Sequence, residues 1–181
     1  MSHLDLMVAD WLVRHKRNLH VELNYYRGMT LDDVIYFSCR GRGIHGVKLS
    51  HQKRLNLESL DLFAMNVLTK RLPLQKAITF DNVFSVLDPI GKNISDIGPL
   101  AVYDAALRIG WFLRLLPDQV FIQTGSLKGA SNLEKKGLLI IPCGARSLPK
   151  ASFPKPLQTL EPFEIENFLC VNKELLRTCV L

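Results

Sequence analysis

The chain has 181 residues, 48% of them hydrophobic and 22% charged, with a net charge of +6. That length and apolar content suffice for a buried core and exclude a disordered polar chain. The positive balance favours anionic partners such as nucleic acid, phosphorylated ligands or an anionic surface.

Residues 2–19 read as a first helix. Leu4, Met7, Val8, Trp11 and Leu12 fall on the i, i+3, i+4 template. Ser2 can cap it, with Asp5 three residues on, and its end is basic: Arg14, His15, Lys16, Arg17. After Tyr25, Tyr26 and Arg27, Thr30 with Asp33 marks a short helix whose inner face is Leu31, Val34, Ile35 and Ser38. The loop from Cys39 to Lys48 carries Gly41, Gly43 and Gly46 among Arg40, Arg42 and Lys48. Asn56 caps the next helix, expected to run to about Lys70 with Pro73 beyond its end. Thr79 caps another, expected to break at Asp88–Pro89.

Gly98–Pro99 then opens the most apolar helix. Gly98 can supply a positive φ or a close approach, and Pro99 suits the first helical position. Both faces of Leu100–Leu116 are apolar, so this is the buried central helix. Asp104 and Arg108 sit at i, i+4 and can pair, and Gly110 marks a place where a neighbour packs close. Asp104, Arg108 and Arg114 interrupt the run well short of the roughly 18 apolar residues of a membrane span.

Residues 120–124 lean towards a strand, Gly125–Ala130 reads as a turn, and Leu138–Ile141 as either a strand or a packed extended segment, giving a short extended pair near residues 120–141. Five prolines from Pro142 to Pro162 suggest a connector laid over the surface. A last helix, Phe163–Cys179, has a stripe of Ile165, Phe168, Leu169, Leu175, Leu176 and Cys179. The expected architecture is mainly α: a single compact helical domain with a buried central helix and a short extended pair. Its parts are a helical core (residues 1–145), the Pro-rich connector (146–162) and a C-terminal helix packing on the core (163–181). Cys39, Cys143, Cys170 and Cys179 form no C-x-x-C pair, and no secretory signal opens the chain, so reduced thiols and a cytoplasmic location are expected.

Function is read first from the basic N-terminal third. Arg14, Lys16, Arg17, Arg27, Arg40, Arg42, Lys48, Lys53 and Arg54 face only Glu22, Asp32 and Asp33 in sequence, with Tyr25 and Tyr26 among them. Cations that track phosphates beside aromatics on which bases stack describe a nucleic-acid surface. Gly125–Gly129 with Lys128 offers turn amides and a cation to another phosphate. No standard metal-ligand spacing is present, and neither a metal nor a cofactor is implied.

Asp96–Ile97–Gly98–Pro99–Leu100–Ala101, preceded by a helix over Phe80–Leu87, resembles the hairpin of helix-hairpin-helix DNA-binding proteins, DNA glycosylases among them. The family hairpin has a Gly–hydrophobic–Gly core whose amides hold a DNA phosphate. Here Asp96 stands at the first glycine. The resemblance implies phosphate contact at Gly98, with DNA ahead of RNA. Leu100 occupies the place of the glycosylase lysine, so Schiff-base chemistry is not implied. The alternative is an enzyme on nucleic acid or another phosphorylated substrate, with His45 or His51 as acid or base beside Asp104 and Arg108. A third reading is a protein-interaction module that forms an oligomer through an exposed stripe along Ile165, Phe168 and Leu176.

Overall fold

The computed structural model describes residues 2–44, 47 and 55–178. The chain is mainly α-helical, with one two-stranded antiparallel sheet among the described residues. Its contacts divide it into two compact units: residues 1–19 with 117–181, and residues 20–116.

The first unit begins with α1 (His3–Arg14). Ser2 and Asp5 close a full capping box: the Asp5 amide donates to Ser2 Oγ at 3.2 Å, and the Ser2 amide to Asp5 Oδ2 at 2.6 Å. The helix stops at His15, and α2 (Lys16–Asn24) follows; the expected single helix is therefore two. The division between units falls within α2, after Leu19.

The second unit continues with a 3-10 turn over Tyr25–Gly28, α3 (Leu31–Cys39), α4 (Leu57–Leu68) and α5 (Arg71–Gln75). Thr30 and Asn56 cap α3 and α4 as their sequence positions suggest. Pro73, expected beyond a helix end, lies inside the five-residue α5. Thr79 caps α6 (Phe80–Lys92), which runs through Pro89 instead of breaking there. Pro89 and Ser85, whose carbonyl the ring deprives of a donor, are both exposed, so water can take the acceptor. α7 (Pro99–Leu113) is the buried centre of this unit and packs on α6, α3 and the 3-10 turn. Ala101, Val102, Tyr103, Ala105, Ala106 and Ile109 are all enclosed. A Cβ at Gly110 would lie 3.1 Å from the Phe80 ring and 2.4 Å from the Leu115 carbonyl oxygen, which is why no side chain stands there.

The first unit resumes with β1 (Gln119–Phe121), α8 (Thr124–Lys135), β2 (Ser147–Pro149), 3-10 turns over Lys150–Ser152 and Leu157–Thr159, α9 (Pro162–Val171) and α10 (Lys173–Thr178). Four expectations change here. Gly125–Ala130 is helix rather than turn, because Gly125 and Gly129 serve close packing on α9, not a bend. β1 pairs with Ser147–Pro149 in the register Val120 to Leu148; Leu138–Ile141 is not a strand. The Pro-rich stretch is not a surface connector: Leu148, Phe153, Leu157 and Leu160 enter the same core as Trp11, Leu133, Phe168 and Leu176. The last helix is interrupted at Asn172, and Cys179 lies outside the described residues. Trp11 anchors this core, with its ring edge-on to Phe168 at 6.4 Å and its indole N–H donating to Asn167 Oδ1 at 3.1 Å.

Candidate nucleic-acid interface

The two units present the expected site residues differently. In the first unit Arg14 is exposed and paired with Asp10 at 2.6 Å, one turn away. Lys16 sits 3.0 Å from the buried Glu164 carboxylate, so its charge answers an interior anion. Arg17 is exposed on α2, and Lys128 is exposed on α8.

In the second unit several cations and aromatics expected at a ligand surface are held by the fold itself. Tyr26 is fully buried and donates its hydroxyl to the Arg42 carbonyl at 2.7 Å; no base can stack on it. Its phenol is pushed up to about 12, chiefly by burial. Tyr25 is half-buried and edge-on to Tyr26 at 5.3 Å. Arg40 is braced: Nε lies 2.5 Å from Asp61 Oδ1, Nη1 donates to the Tyr36 hydroxyl at 2.5 Å, and the guanidinium stacks over the Tyr36 ring. Such an arginine holds α3 to α4 before it meets any ligand. Arg42 is half-buried; Arg27 is exposed, with its guanidinium 4.9 Å above the Trp111 ring. His45, Lys48, His51, Lys53 and Arg54 lie outside the described residues.

Asp104 and Arg108 do share one electrostatic centre, but sequence reasoning missed its nearest member. Arg108 is only 4% exposed, and its Nη2 donates to Glu22 Oε1 at 3.1 Å, across 86 residues of chain. Burial works to lower the Arg108 pKa; Asp104 most of all, then Tyr26 and Glu22, outweigh it and raise the net value. Arg108 Nε and Nη1 are buried without a hydrogen-bond partner among the described residues. Beside this centre the Trp111 indole N–H donates to Asn24 Oδ1 at 3.2 Å, and His20 lies edge-on to the same ring. Nothing local in the sequence links Glu22 to Arg108.

The hairpin lies between α6 and α7. Asp96, at the first-glycine position, takes the left-handed conformation with φ 70°. Gly98 does not: at φ −85° and ψ 170° it is the extended N-cap of α7, and Pro99 follows at the first helical position. Ile97 is buried under the turn, and its side chain lies near Gly91, where the α6 backbone closes on Val102 of α7. No side chain caps α7, so the positive dipole end and the first-turn amides, which Pro99 reduces by one, have no side-chain partner beside the half-buried Gly98.

Among the described residues, no three His, Cys, Asp or Glu side chains gather as metal ligands, and no helix is long and apolar enough to cross a membrane. Ile165, Phe168 and Leu176, offered above as an exposed stripe, are wholly buried in the core of the first unit. Comparison with protein-family models, curated proteins and solved structures found no match for this chain.

Proposed function

We propose that the protein binds the phosphate backbone of nucleic acid, DNA ahead of RNA, with the α6–α7 hairpin as the contact in the second unit. The observation that carries this reading is the uncapped start of α7 behind a turn whose first-glycine position is left-handed. Amides without a cap at a helix N-terminus suit a phosphate oxygen. Such contacts position a strand without reading its sequence. Arg17 and Arg27 are exposed cations that can add to the attraction in their respective units.

Gly98→Ala tests the contact cleanly. An added Cβ meets nothing in the protein within 4 Å, and φ −85° is open to alanine. A loss of affinity therefore arises on the ligand side. Asp96→Gly is the complement: it removes a carboxylate that repels phosphate and relieves a left-handed non-glycine residue. Fluorescence anisotropy with a labelled duplex at several salt concentrations should show weaker binding for Gly98→Ala and tighter binding for Asp96→Gly. Affinity should fall steeply as salt rises. Equal affinities for all three proteins, or no binding by the wild type at low salt, would refute the proposal.

A further inference from the structure

A second feature lies in the first unit and does not rest on the hairpin. Lys128 and Lys135 stand seven residues apart on one face of α8, about 10 Å along its axis. Lys173 and Arg177 stand one turn apart on α10. These four cations line a groove of about 420 Å³ between the two helices, with Asn132 and Glu174. Among the described residues lining it, Glu174 is the one carboxylate, 3.3 Å from Arg177. The groove therefore holds a surplus of three positive charges. The whole unit, with 11 Lys and Arg against eight Asp and Glu, has the same net +3. Elsewhere in this unit the charges balance; its excess is concentrated in the groove.

The groove is also pre-organised. Asn132 Nδ2 donates to the Lys173 carbonyl at 2.8 Å, which fastens α10 to α8 at the level of the cations. Lys173 Nζ donates to the Cys170 carbonyl at 3.1 Å, and an ammonium has two further N–H donors to offer. Like charges held together with one carboxylate among them cost free energy until an anion arrives. One small monovalent anion would reach only one end of cations spread over two turns of α8.

We infer that the α8–α10 groove binds a ligand bearing two or more phosphate groups in succession. The shared chemistry is a run of phosphates, supplied by a nucleic-acid strand or by a soluble polyphosphate. The test uses the full chain, with inorganic tripolyphosphate followed by titration calorimetry and a labelled single-stranded oligonucleotide followed by anisotropy. Lys128→Ala/Lys135→Ala removes two exposed side chains, and Lys150→Ala/Lys155→Ala is the control outside the groove. The groove variant should bind at least tenfold more weakly while the control matches the wild type. For the oligonucleotide, the slope of log affinity against log salt should fall by about 1.4, at about 0.7 for each of two phosphates. Loss with tripolyphosphate alone assigns a soluble polyphosphate; loss with the oligonucleotide alone or with both assigns a strand. Groove and control variants that weaken equally, or wild-type protein that binds neither probe, overturn the inference. Oligonucleotide binding lost in the groove variant and retained in Gly98→Ala would leave the groove standing and the hairpin contact refuted; the reverse, with tripolyphosphate binding also unchanged in the groove variant, would refute the groove alone.

Discussion

Gly129→Ala should destabilise the protein even though alanine is the better helix former. A Cβ at Gly129 would lie 2.3 Å from the Leu169 carbonyl oxygen, 2.9 Å from its carbon and 3.0 Å from its Cα. All three are backbone atoms of α9 (Pro162–Val171), so no rotamer change relieves them. Ordinary carbon contacts sit near 3.5–4.0 Å, so α8 and α9 must separate by roughly an ångström. Overpacking of this kind costs about 1–3 kcal/mol, whereas the propensity gain in a helix interior is about 1 kcal/mol. A contact of 2.3 Å against backbone takes the upper half of that cost, so the net expectation is a loss of about 1–2 kcal/mol, a fall in Tm of a few degrees for a chain of this size. Gly125→Ala is the internal control. Its Cβ would meet chiefly the Cys170 Sγ, at 2.5 Å, the end of a side chain that can turn away. It should be within about 0.5 kcal/mol of wild type. Urea denaturation followed by circular dichroism measures both. Gly129→Ala as stable as wild type, or Gly125→Ala the worse of the two, would refute a close approach of the α9 backbone at Leu169.

Other expectations can be checked by the same method. Arg108→Met removes the cation that Glu22 accepts from and should cost about 1–3 kcal/mol, much of it recovered in Arg108→Met/Glu22→Leu; the double variant being the less stable would contradict the pairing of these two side chains. Because the folded-state pKa of Tyr26 is raised, its contribution is complete below pH 10 and disappears as pH rises from 10 towards 12. That loss is at most about 3 kcal/mol; Tyr26→Phe should flatten the stability profile in that window after about 1 kcal/mol is given up for its hydrogen bond to Arg42. Arg114 ends α7 with φ 62°, so Arg114→Gly should raise stability by up to about 1 kcal/mol, read as a higher urea midpoint. In native protein a thiol reagent should modify the exposed Cys143 and spare Cys39, whose pKa burial pushes well up; rapid labelling of Cys39 would show that α3 opens.

Where a helix starts proved legible because capping is local. Ser2 with Asp5, Thr30 with Asp33, Asn56 and Thr79 each satisfy an orphan amide within three or four residues, and Pro99 marks the first helical position of α7 by its fixed φ. The apolar wrap of α7 was equally plain. What failed depended on partners distant in sequence. Gly125 and Gly129 look like turn residues until α9 is laid against them, and Leu148, Phe153, Leu157 and Leu160 look like a decorated linker until Trp11 and Phe168 supply the other side of the core. Tyr26 and Arg40 illustrate the same limit at the site. A tyrosine or arginine in a basic stretch looks the same in sequence whether it faces a ligand, accepts burial or braces a neighbouring helix. The basic groove was only partly visible: Lys128 was singled out, while Lys135 waited on recognising residues 124–135 as helix, and Lys173 and Arg177 on the pairing of α8 with α10.

Residues 3–11 share a core with Phe168, Leu169 and Leu176, so this unit closes only by joining segments separated by nearly a hundred residues. During synthesis α1 precedes the segments it packs with, so Leu4, Met7, Val8 and Trp11 stay uncovered until Phe168, Leu169 and Leu176 have followed. Residues 20–116, by contrast, are contiguous and can collapse during that wait. Synthesis order and folding order thus run opposite to each other here, and a lesion in the first dozen residues acts as a defect of the carboxyl-terminal half.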